Sequence, residues 1–146
     1  MGVEQEPYET FQTKLAALSG LSAIVGTRVG QEWPATNAGF PAVAWRMLTA
    51  GMADSDAEGW WAKHPVVQID LIGDDFDVLQ TLAAVVDGLN DAANDGSWNS
   101  ANWKIQSVRR VSQWRRIDWS DRQTATGNKL LQYTADFSVK FNRIQS

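Results

Sequence analysis

The sequence predicts an α+β fold: a mostly antiparallel, four- to five-stranded sheet with two helices packed on one face, a single pair of layers. Three observations carry it. Apolar and polar side chains alternate from Leu131 to Asn142, apolar residues recur at steps of three and four from Leu79 to Leu89, and strand-like segments flank that helix in pairs.

The first helix is predicted from about Pro7 to Leu18. Proline is harmless early in a helix, where the missing N–H has no acceptor, and Glu9 meets the positive end of the helix dipole. Phe11, Leu15 and Leu18 fall at i, i+4 and i+7 and form one apolar stripe. Ser19 and Gly20 close the helix. Leu21, Ile24 and Val25 continue as a short turn before Gly26 and Gly30 interrupt regular structure.

Phe40 to Leu48 reads as a strand, with Val43, Trp45 and Met47 on one side and Ala42, Ala44 and Arg46 on the other. A long loop follows from Thr49 to His64. After Pro65, Val67, Ile69 and Leu71 face one way and Gln68 and Asp70 the other, so this strand and the previous one are expected to be antiparallel neighbours. Asp74, Asp75 and Asp77 open the second helix, predicted to run to about Ala93, with Leu79, Leu82, Ala83, Val86 and Leu89 on its apolar stripe. Asn94 to Ser97 stops it.

Trp103 and Ile105 begin another strand. The spacing Val108, Val111, Trp114, Ile117 then matches neither strand nor helix period, which predicts a bulge or tight turn, or a hairpin, within Ser107 to Asp118. In the final strand Leu131, Tyr133, Ala135, Phe137, Val139 and Phe141 are expected to be buried, and Gln132, Thr134, Asp136, Ser138, Lys140 and Asn142 to be wet.

With 146 residues, 44% of them hydrophobic, the chain has enough apolar surface for a core, and it reads as one domain over 1–146 with the 49–64 loop as an excursion. The absence of cysteine removes disulfides, thiolate nucleophiles and Cys-based metal sites. Met1 to Glu6 is acidic and polar, unlike the start of a secretory signal, and no stretch is apolar enough to span a bilayer, so neither export nor membrane contact is expected. A net charge of −4 argues against a surface built to grip duplex phosphates.

Few residues suggest chemistry. His64 is the one histidine, and no Gly-x-Ser-x-Gly elbow accompanies it. Asp70, Asp74, Asp75 and Asp77 resemble a hard-metal cluster, but their split between a strand and a helix start favours capping. Gly26 to Gly30 lacks the lysine of a phosphate loop. No catalytic residue, metal or cofactor is assigned, and the chain is expected not to be an enzyme.

What stands out is tryptophan: eight, at positions 33, 45, 60, 61, 98, 103, 114 and 119. Trp45 and Trp103 belong to strand patterns and are simplest as core. Trp60 and Trp61 end the long loop, and Trp114 and Trp119 flank Arg109, Arg110, Arg115 and Arg116. Tryptophan and arginine are enriched at interface hot spots, so these eight side chains are the candidate oligomer or partner surface. Two other readings stand beside it: every indole packs internally and the arginines pair with nearby acids, or the indoles form a platform for carbohydrate or peptide.

The order of elements resembles the tail-completion, or tail-terminator, proteins of long-tailed bacteriophages. The resemblance lies in Leu15 to Leu18, Ile24 to Val29, the strand start at Phe40 to Val43, Val67 to Asp70 followed by Phe76 to Leu89, and the closing Tyr133 to Phe141 strand. It implies a small structural subunit that forms a homo-oligomeric ring, commonly six-fold, at the head-proximal end of the tail. Such a ring ends growth of the tail tube, meets the tube protein on one side and the head connector on the other, and lets DNA pass through its lumen. The implied location is the virion, with the host cytoplasm during assembly. The tryptophan-bearing 49–64 loop and the arginine-rich 109–116 stretch depart from the family pattern.

Overall fold

The computed structural model describes residues 6–31, 39–48, 62–92, 98–123 and 129–144. In chain order the elements are α1 (Glu6–Ala16), α2 (Ser22–Val25), β1 (Val29–Gly30), β2 (Ala42–Met47), β3 (Ala62–Lys63), β4 (Val66–Gly73), α3 (Phe76–Asp87), α4 (Leu89–Ala92), β5 (Trp103–Arg110), β6 (Arg115–Gln123) and β7 (Lys129–Arg143). Five full strands and two of two residues each form one sheet, antiparallel except where β1 runs beside β2. The predicted α+β layer pair is the observed one.

The 15-residue β7 organises the sheet. One of its edges pairs with β4 and then β3, while the other pairs with β6 over Lys129–Thr134 and with β5 over Phe137–Arg143. β2 and β4 are antiparallel neighbours, as expected.

One face of the sheet holds the main core. Val43 and Trp45 of β2, Val67, Ile69 and Leu71 of β4, Ala135, Phe137, Val139 and Phe141 of β7, and Trp103, Ile105 and Val108 of β5 pack against the stripes of α1 and α3. Phe11 meets Trp45 edge to face at 5.0 Å, and Tyr8 meets Phe141 likewise at 5.5 Å. The Trp45 indole N–H donates to Gln12 Oε1 at 2.6 Å, and the Gln12 amide donates to the Val29 carbonyl at 3.0 Å, so α1 also holds β1 and β2 together.

Three expectations need correcting. The second helix stops at Asp87, short of Ala93, and resumes as the single turn α4 after Gly88, where a Cβ would stand 3.0 Å from the Val85 carbonyl oxygen. The stretch from Ser107 to Asp118 is no hairpin: β5 and β6 lie end to end along one edge of β7. Between them the Val111 N–H donates to the Asp136 carbonyl at 2.8 Å and the Ser112 hydroxyl accepts the Asp136 N–H at 2.9 Å, so the chain stays on β7 instead of turning back. The irregular spacing reflects a register shift between Ile105 and Ser107 together with this interruption.

The third correction concerns the face without helices. Gln132 and Thr134 are expected to be wet, yet both are buried, as are Gln68 and Asp70 beside them. A small second cluster of Ala44, Ile72 and Leu130, with Phe40 and Trp119 packed on it, lies on this face beside them. Polarity there marks an internal hydrogen-bond network, since buried polar groups are retained where they satisfy one another.

Candidate functional site

Strand register builds the site on the helix-free face. One cross-strand row runs Ala44, Asp70, Thr134, Arg115; the next runs Arg46, Gln68, Asp136; another runs Ala42, Ile72, Gln132, Ile117. Asp70 sits at the centre with 1% of its surface exposed. Its Oδ1 accepts from the Gln68 amide at 2.7 Å, the Gln132 amide at 2.8 Å and the Thr134 hydroxyl at 2.7 Å. Three neutral donors thus offset part of the cost of removing a carboxylate from water, while Oδ2 is buried without a hydrogen-bond partner among the described residues.

The network reaches outward in both directions. The Trp119 indole N–H donates to Gln132 Oε1 at 3.0 Å, and Arg46 Nη2 donates to Gln68 Oε1 at 3.4 Å. Above it lies a cavity of about 680 Å³ lined by Arg46, Gln68, Arg115, Arg116, Ile117, Trp119, Gln132 and Thr134. Its floor is amide and hydroxyl, one wall is Trp119 and Ile117, and its rim is cationic. This arrangement suits contact with an anionic partner surface. The donors of the floor are committed to Asp70 Oδ1.

The sequence-predicted residues are divided by strand alternation. Arg109 pairs with Ser138 and Arg115 with Thr134, which puts both exposed guanidinium groups on the helix-free face with Trp119. Arg110, Trp114 and Arg116 lie on the helix side. Arg110 Nε and the Trp114 indole N–H both donate to Asp87 Oδ1, at 3.0 and 3.1 Å, tying the β5–β6 junction to the end of α3. Trp114 stacks on Tyr133 at 5.4 Å, and Arg116 lies 4.4 Å above the Phe76 ring while donating to Asp118 at 2.7 Å. That hydrogen bond holds the Asp118 carboxyl below its ordinary pKa. Trp60 and Trp61 lie outside the described residues.

Among the described residues no indole is fully exposed: Trp45, Trp98 and Trp103 are buried, and Trp114 and Trp119 are half-buried. Sequence reasoning missed Arg46, Gln68, Asp70, Gln132 and Thr134 as a group. The available signal was amide, carboxylate and hydroxyl recurring at period two on both adjacent strands. The acids that open α3 behave as expected, with Asp75 Oδ1 accepting the Asp77 N–H at 3.0 Å.

No known protein family and no curated protein matches the sequence. Solved structures do share the fold. A chain from the virion of a native gene transfer agent particle superposes with a TM-score of 0.61 at 17% identity, covering 96% of this chain and 94% of that one. A second solved chain superposes with a TM-score of 0.52 at 16% identity, covering 99% of each. At these identities the likeness establishes the α+β architecture from end to end.

Proposed function

We propose that this chain is a non-enzymatic structural subunit of a phage-like particle. In this reading it forms a homo-oligomeric ring, of six copies, at the head-proximal end of the tail, ends tube growth there and joins the tube to the head connector. The observation that carries the reading is the likeness to a chain of a gene transfer agent virion over nearly the full length of both chains. It agrees with the resemblance in element order to tail-terminator proteins. The helix-free face supports it as well, since its polar groups are spent on internal hydrogen bonds beneath a cationic rim.

A ring closes through two different patches on each subunit, and the 49–64 loop with Trp60 and Trp61 and the 109–119 stretch are proposed as surfaces that contact neighbouring copies or the other partners. The tail-tube protein and the head connector are the further partners, with DNA passing through the lumen. The carbohydrate reading needs an indole face open to solvent; Trp114 gives its face to Tyr133 instead. Deleting the gene from the particle's genome tests the assignment. Heads and tails should accumulate unjoined, with tubes of uncontrolled length, whereas normal joined particles would refute it.

A further inference from the structure

The two faces of the molecule carry opposite charge. On the helix-free face strand parity aligns Arg46, Lys104, Arg109, Arg115 and Lys140. None of the five forms an ion pair among the described residues, whose salt bridges are Arg110–Asp87, Arg116–Asp118 and Lys129–Asp118. On this face Asp70 is buried and Asp136 is half-buried. The helix layer opposite exposes Glu9 on α1, Asp77 on α3 and Asp91 on α4, with Asp75 capping α3; of the cations on that side Arg110, Arg116 and Lys129 are paired with Asp87 or Asp118, which leaves Lys14 of α1 against these acids.

We infer that the cationic helix-free sheet face of one copy docks on the acidic helix layer of the next copy. The occupant is a second copy of this chain because both halves of the complementary pair are on one molecule. A contact between opposite faces is head-to-tail, so it repeats by rotation and closes into a ring, whereas like faces would repel. The cavity between Arg46 and Arg115, with Ile117 and Trp119 as its apolar wall, gives a concave seat in the middle of the basic face. Duplex DNA is the weaker match for the same cations, since the chain as a whole is at −4 and would repel phosphates at longer range. The inference rests on the ring reading above and names the two surfaces that meet.

The test uses the full chain and two charge-reversed variants, Arg109→Glu with Arg115→Glu and Asp77→Lys with Asp91→Lys, each checked for folding by circular dichroism. All four side chains are exposed, so both variants should fold. Association is followed by analytical ultracentrifugation at low and high salt. The unaltered chain should assemble, more weakly as salt rises, and each variant alone should lose roughly tenfold or more in affinity. Mixing the two variants should restore assembly, because each then offers the charge the other needs at both contacts. Variants that assemble like the unaltered chain would overturn the face pairing and leave the ring standing. So would failure of the mixture to recover, or variants that keep assembling but lose retention of duplex DNA. An unaltered chain that stays monomeric at every concentration and salt would overturn the ring and the pairing together.

Discussion

Asp70 shows how one residue sets the character of a whole face. A buried carboxylate is costly unless its lone pairs are used, and three donors from two strands converge on Oδ1. Asp70→Ala would leave the Gln68, Gln132 and Thr134 donors unmatched in a buried place. We expect a loss of roughly 3 kcal/mol, with the same far-ultraviolet circular dichroism, measured by urea unfolding. A variant as stable as the parent would mean that the network does not hold the β4–β7 pairing. Trp119 belongs to the same scale: half-buried, its indole N–H closes the network and its ring packs near Ile72 and Leu130.

At the scale of elements, one carboxylate ties both sides of the β5–β6 junction to the end of α3. Asp87 accepts from both Arg110 and Trp114, two residues on opposite sides of the interruption. Asp87→Ala should cost about 1 kcal/mol, the lower range because the Arg110–Asp87 pair is about one-third exposed. Hydrogen exchange should rise at Val111 and Arg115 and stay unchanged in α1, and uniform exchange across the molecule would count against a local tie. The elements themselves were legible where one face is buried against helices, because apolar spacing is imposed there. Thus α1, β2, β4, α3 and β7 follow from the sequence. The β5–β6 segment did not, since its break is defined by hydrogen bonds to Asp136 on a partner strand, and single-sequence periodicity carries no record of them. The polar face was misread for a related reason: alternation separates two faces but does not tell solvent from a satisfied buried network.

For the whole molecule, the sheet acts as a partition between an acidic helix layer and a basic open face. Alternation within the arginine stretch gives Arg109 and Arg115 to the open face, while Arg110 and Arg116 go to the helix side and are paired there with Asp87 and Asp118. The sequence presented these four as one cluster, and only the register on β7 shows that two stabilise the subunit while two remain available on its open face. A subunit with opposed faces suits the proposed ring. The most direct measurement is cryo-electron microscopy of purified particles. We expect density for this chain as a closed ring of six copies at the head–tail joint, each sheet face against its neighbour's helices; intact particles in which this chain is absent from the joint would contradict the account.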